Sequence, residues 1–103
     1  MTIPNHVNTA SDAYRYARRV VNGRWEKGEP IIATDPEYAY YYAREVIKGR
    51  WLEGETIIAI DPTYAYYYAR DVIKGRWLDG ELIIMFSDHV SDYAKLTGMS
   101  IAA

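Results

Sequence analysis

The sequence predicts an all-α fold, a short α-solenoid of 26-residue αα-hairpin repeats. Residues 35–60, DPEYAYYYAREVIKGRWLEGETIIAI, are followed by residues 61–86, DPTYAYYYARDVIKGRWLDGELIIMF, and the two stretches differ at six of 26 positions. Trp25, Trp51 and Trp77 recur at the same spacing of 26. A fixed period of this size marks an array in which each unit buries its face on the next. Each unit also opens on a helix cap and continues at helical periodicity, which selects helix for its first element.

In chain order, residues 1–8 read as a degenerate N-terminal cap, with Pro4 in the slot of Pro30. Residues 9–34, 35–60 and 61–86 are three fuller repeats, and 87–103 a partial C-terminal capping repeat, together one domain. Drift toward polar residues at the ends suits terminal units, which have no neighbour to cover them. In the central repeat Asp35 is a good N-cap, Pro36 fits the first helical position, and Glu37 sits where the helix dipole favours negative charge. Apolar residues at 39, 42, 43, 46 and 47 form a core-facing stripe. Lys48 falls in the last turn and Gly49 stands just past it as the helix stop. Helices are expected over about 36–48, 62–74, 11–22 and, shorter, 88–97.

The second element of each unit is short and rich in isoleucine, and admits a strand; a strand plus a helix per repeat would give a strand-plus-helix solenoid. Two features favour a short helix over 52–60 and 78–86. Glu53 and Glu55 cluster just after Trp51, as at a helix start, and Pro30 suits a first helical turn but not a central parallel strand.

The string DPxYAYxYAxxVIKGRWxEGE is carried here by Asp35, Pro36, Tyr38 to Tyr42, Ala43, Val46 to Trp51 and Glu53 to Glu55. It resembles a 26-residue tandem repeat found in bacteriophage and bacterial proteins, and the resemblance covers nearly the whole chain. It implies a helical hairpin and a phage or bacterial source, and no chemistry. Related copies have Pro after the Trp; this chain has Glu26, Leu52 and Leu78 there, and Gly28, Gly54 and Gly80 further on, which is expected to loosen the second helix.

Composition narrows the function. The 103 residues carry a net charge of −2, which argues against a dedicated nucleic-acid binder. There is no cysteine, hence no disulfide framework and no Cys-based metal site. No apolar run approaches the ~20 residues that span a bilayer. The opening MTIPNHVNTA lacks the features of a signal peptide, so a cytoplasmic location in a bacterial host cell is expected. His6 and His89 sit in no metal or triad spacing, and a repeat spreads equal groups along its length instead of assembling one site. The expectation is a non-enzyme with no cofactor, no metal, no nucleic-acid partner and no membrane partner.

Positions filled identically in all three fuller copies include Trp25, Trp51 and Trp77; Tyr16, Tyr42 and Tyr68; Arg24, Arg50 and Arg76; and Glu29, Glu55 and Glu81. These are expected to hold repeat to repeat, with Trp as a wedge and Arg50 or Arg44 paired with Glu55. An alternative is a small-molecule binder, with an anionic or nucleotide-like ligand between repeats lined by Tyr, Arg and Trp. Positions that vary mark the outward stripe of the first helix: Tyr38, Tyr41, Glu45 and Lys48, then Tyr64, Tyr67, Asp71 and Lys74. Tyrosine is not a typical solubilising choice, and clustered aromatics with a charged rim suit a protein partner. The expected function is a protein-interaction module presenting this Tyr-rich helical surface. The first repeat is net positive and the rest of the chain net negative, which admits end-to-end self-association.

Overall fold

The computed structural model of the chain describes residues 3–100. Residues 1, 2 and 101–103, at the outer ends of the two expected caps, lie outside the described residues. Among the described residues every regular element is helical and there is no strand. The helices are α1 (Ala10–Tyr16), α2 (Glu29–Ile32), α3 (Pro36–Tyr42), α4 (Leu52–Ile58), α5 (Pro62–Tyr68), α6 (Leu78–Met85) and α7 (Val90–Thr97). α1, α3 and α5 each continue into a wider π-type last turn, Ala17–Val21, Ala43–Ile47 and Ala69–Ile73. α2 is entered through a single 3-10 turn, Glu26–Gly28.

The starts of the first helices follow from their caps. The Asp35 carboxylate accepts the backbone N–H of Glu37 at 2.8 Å and of Tyr38 at 3.2 Å, and Asp61 does the same for Thr63 and Tyr64. Thr9 and Asp12 cap each other's backbone in a capping box. The ends differ from the sequence expectation. The Lys48 N–H reaches the Ala43 carbonyl, five residues back, at 2.7 Å, and Lys48 itself turns left-handed with φ 60°. Asn22 and Lys74 do likewise, with φ 60° and 64°. The break therefore falls on residue 48 and not on Gly49, because widening the last turn brings the reversal one residue forward.

The glycines of the second element are also corrected. A Cβ on Gly54 would stand 2.3 Å from Cε3 of Trp51, and Gly28 and Gly80 meet Trp25 and Trp77 in the same way. Instead of loosening the helix, glycine lets the indole lie flat on its first turn.

α1, α3 and α5 pack side by side in a row, and each second helix rests on its own first helix and touches the next. The result is a rod with extents of 53 × 19 × 17 Å. Ala13, Ala39 and Ala65, with Ala17, Ala43 and Ala69, are fully buried where the first helices approach closely. Ile32, Ile58 and Ile84 fill the space from the second helices, and Tyr42, Tyr68, Tyr93 and the three tryptophans complete the core. At about 25 cal/mol per Å² and 150–250 Å² per ring, each such aromatic contributes on the order of 4–6 kcal/mol of gross burial. Tyr40 and Tyr66 are buried too, off the expected stripe. In a stack a helix is covered on both flanks as well as beneath, so its buried arc exceeds the face that a lone amphipathic helix would bury.

Candidate functional site

Two sets of polar and aromatic residues recur along the rod. The first closes the joint between repeats. Trp51 donates its backbone N–H to the Tyr68 hydroxyl at 3.0 Å, and that hydroxyl donates to Glu55 at 2.6 Å. Arg50 grips both oxygens of Glu55 with two bonds of 2.9 and 2.8 Å, the first to the oxygen that also accepts from Tyr68. Trp25, Tyr42, Glu29 and Arg24 build the same chain one repeat earlier, with Trp25 to Tyr42 at 2.8 Å and Tyr42 to Glu29 at 2.6 Å. Trp77, Tyr93, Glu81 and Arg76 build it one repeat later, with α7 supplying the tyrosine. Tyr16, in the first unit, packs on Trp25 with ring centroids 4.6 Å apart.

These contacts set the charges. Burial raises the Glu55 carboxyl, but the bonds from Arg50 and Tyr68 outweigh it and hold the group below its ordinary range. Arg76 draws Glu81 down to about 2. Burial lifts the hydroxyls of Tyr42 and Tyr68 above their ordinary range, reinforced by Glu29 and Glu55, and brings Tyr93 to about 12. The carboxylates, hydroxyls and guanidinium groups named here bond to one another, while the buried indole N–H groups of Trp51 and Trp77 have no hydrogen-bond partner.

The second set is the tyrosine face of the first helices. Tyr38, Tyr41, Tyr64 and Tyr67 do lie on one continuous surface. Tyr38 meets Tyr41 edge-on at 5.6 Å, Tyr41 meets Tyr64 across the joint at 6.4 Å, and Tyr64 meets Tyr67 at 5.7 Å. Tyr14 extends the row at one end, 5.8 Å from Tyr38 and from Tyr41. His89 extends it at the other, stacked on Tyr66 at 5.3 Å and bonded to Thr63 at 3.1 Å. All four predicted tyrosines are half-buried and not fully outward, because their rings lean sideways onto neighbouring repeats.

Carboxylates and guanidinium groups hold these rings in place. Glu37 accepts the hydroxyls of both Tyr41 and Tyr64 at 3.0 Å, and burial with this bond raises both hydroxyls above their ordinary range. Arg44 stands 4.9 Å over Tyr40 and 5.5 Å over Tyr41; Arg70 stands 4.7 Å over Tyr67. Tyr40 was not among the expected site residues. It lies beneath the face, donates to Asp71 of the next repeat and accepts from Arg44 at 2.7 Å.

The expected charged rim divides. Lys48 and Lys74 are exposed at the helix ends. Glu45 pairs with Arg44 at 2.7 Å on its own helix. Asp71 is drawn into the joint, held by Arg70 at 2.7 and 2.8 Å as well as by Tyr40, and Arg70 keeps its carboxyl below the ordinary range. Beside these residues run two open grooves between repeats. One, of about 250 Å³, is lined by Arg18, Asn22, Gly23, Glu45, Val46 and Lys48. The other, of about 370 Å³, is lined by Arg44, Lys48, Gly49, Asp71, Val72 and Lys74. Neither of these two grooves is lined by Trp or Tyr. Among the described residues no group of three or more His, Asp or Glu is placed to hold a metal ion, and no helix is long and apolar enough to cross a membrane.

Comparison of the chain with protein-family models, with curated proteins and with solved structures found no match.

Proposed function

We propose that the chain is a non-catalytic protein-interaction module that presents the tyrosine face of its first helices to a protein partner. The observation that carries this reading is the unbroken row from Tyr14 through Tyr38, Tyr41, Tyr64 and Tyr67 to His89, half-exposed and fastened by Glu37, Arg44 and Arg70. Rings fixed in advance lose little side-chain entropy on binding, and aromatic anchors inside a polar rim supply most of the affinity of many interfaces. The resemblance of the repeat adds a phage or bacterial source, and the cysteine-free composition suits the reducing cytoplasm of a bacterial cell as its setting.

The test is a pull-down from bacterial lysate with the wild type and a Tyr38→Ser/Tyr67→Ser variant. These two hydroxyls lie outside the hydrogen-bond networks described above, so the substitutions break none of those bonds, and a melting curve selects conditions in which the variant is folded. Loss of a captured protein by the folded variant supports the reading; undiminished capture removes the face from consideration. The cationic edges of the two grooves, Arg18 with Lys48 and Arg44 with Lys74, favour a second reading, a small anionic ligand held between repeats. A thermal-shift screen against nucleotides tests it, since a ligand well above its Kd raises the melting temperature by mass action.

A further inference from the structure

We infer that the outward face of α4 and α6, on the second helices and away from the tyrosine row, docks a basic amphipathic helix. Leu52 and Ile60 on one repeat, and Leu78, Leu82 and Phe86 on the next, are exposed, Leu82 at 74% and Phe86 at 88%. The positions 52, 56 and 60 and the positions 78, 82 and 86 are spaced i, i+4, i+8 and occupy the same slots of successive repeats. Leu52 lies on α4, and Leu78 and Leu82 lie on α6 at helical spacing; Ile60 stands in the turn after α4 and Phe86 caps the end of α6, so each repeat carries an exposed apolar edge that runs off the end of its second helix. The slots of the first repeat hold Glu26, Pro30 and Thr34, which confines the apolar surface to the last two repeats.

The differences between the two near-identical copies point to the same place. Of their six differing positions, Thr56 against Leu82 and Ile60 against Phe86 add apolar bulk at exposed positions, while Ala59 against Met85 adds it against the core. Bulk added in the core would answer to packing. Leu82 and Phe86 meet solvent, so packing does not account for them.

Charge selects the occupant. Residues 51–63 and 77–92 contain no Lys or Arg. Glu55 and Glu81 are neutralised by Arg50 and Arg76, while Glu53, Asp79, Asp88 and Asp92 stay exposed. A second copy applied to this face brings like charges together, and an anionic membrane is repelled by the same carboxylates. An amphipathic helix with apolar anchors at i, i+3 or i+4, and i+7, flanked by Lys or Arg, matches both the apolar edges and the charge.

The probe is a synthetic Leu/Lys peptide of about 18 residues, five helical turns, with leucines on one face. Fluorescence anisotropy measures its binding to the full chain, beside a Leu/Glu peptide of the same pattern, a scrambled Leu/Lys peptide and phosphatidylserine vesicles. The Leu/Lys peptide is expected to bind, more weakly as salt rises, and to lose on the order of tenfold in affinity for Leu82→Ser/Phe86→Ser. That variant changes exposed side chains and should keep its melting temperature. Tyr38→Ser/Tyr67→Ser should bind the peptide as the wild type does, which separates this surface from the tyrosine face. Absence of binding, equal binding by the Leu/Glu or scrambled peptide, or equal binding by the serine variant overturns the inference. So does vesicle binding, or a wild-type dimer in sedimentation that the serine variant dissociates.

Discussion

The hydroxyl of Tyr68 accepts the backbone N–H of Trp51, 17 residues earlier, at 3.0 Å. It passes a proton donor on to Glu55, so one phenol satisfies a loop amide and a buried carboxylate together. Tyr68→Phe keeps the ring and deletes that oxygen, leaving the amide without its acceptor and Glu55 with one donor fewer. A buried polar group left unsatisfied costs about 1–3 kcal/mol. Tyr38→Phe is the control, expected within about 0.5 kcal/mol, since its hydroxyl lies outside these networks. Urea denaturation of the two variants reads the contrast, and equal losses would show that the hydroxyl does not hold the joint.

The same joints make stability depend on pH at both extremes. Tyr40, by burial and then by Asp71, and Tyr93, chiefly by burial, have hydroxyls raised from 10.0 to about 12. A raised folded value means stability that is complete below pH 10 and lost as pH rises from 10 toward 12. Glu81 is lowered from 4.5 to about 2, so its contribution is present above pH 4.5 and is lost as pH falls from there toward 2. Melting temperatures across this range should form a plateau with two falling edges. The difference in tyrosinate absorbance between the wild type and Tyr93→Phe isolates one buried ring among the eleven tyrosines, and it should appear only together with unfolding on the alkaline side. That difference appearing near pH 10 in a chain that is still folded would contradict the burial of Tyr93.

Gly54→Ala is a small change in composition with a large expected effect. Its Cβ would stand 2.3 Å from the Trp51 ring, which is itself fully buried and has nowhere to move. Overpacking of this kind costs about 1–3 kcal/mol, more than the gain alanine brings to an exposed helix position. The chemical-denaturation midpoint should therefore fall, whereas a higher midpoint would return Gly54 to the role of a helix-weakening residue.

How far the sequence was legible follows from the range of each interaction. The Trp period, the Asp-Pro caps and the apolar spacing are local or exactly repeated signals, and they placed the first helices to within a residue or two. Glu53, Glu55 and Pro30 were enough to choose helix over strand for the second element. Tyr40 with Asp71 was not legible: the two are 31 residues apart and meet only once the helices are stacked. Gly54 was misread because its partner is a ring lying over the helix, and periodicity carries no information about ring orientation. The exposed apolar edges of α4 and α6 were hidden for a different reason. In α6 the apolar residues are spread round the helix between Asp79 and Glu81 with almost no preferred side, so the pattern does not show which side is covered.

The helix break separates the sequence expectation from the structure most sharply, and one pair of substitutions tests it. Lys48 turns left-handed, where a Cβ costs about 1–2 kcal/mol, while Gly49 has no left-handed φ and open space around it. Lys48→Gly relieves that strain but adds unfolded-chain entropy of about 0.5–1 kcal/mol and removes a cation from the helix C-terminus, worth about 0.3–1 kcal/mol. The terms nearly cancel, so Lys48→Gly should be close to neutral. Removing the cation from an ordinary right-handed helix interior and adding glycine would instead cost about 1 kcal/mol or more. Asn at this position, already present as Asn22 in the first repeat, visits the left-handed region readily and should be tolerated equally well. Gly49→Ala should be neutral or stabilising, by up to about 1 kcal/mol, because the unfolded chain loses freedom and the folded one meets no clash. If instead Gly49→Ala lowers the denaturation midpoint and Lys48→Gly lowers it too, the left-handed residue is Gly49, and the repeat ends its first helix one position later than the structure places it.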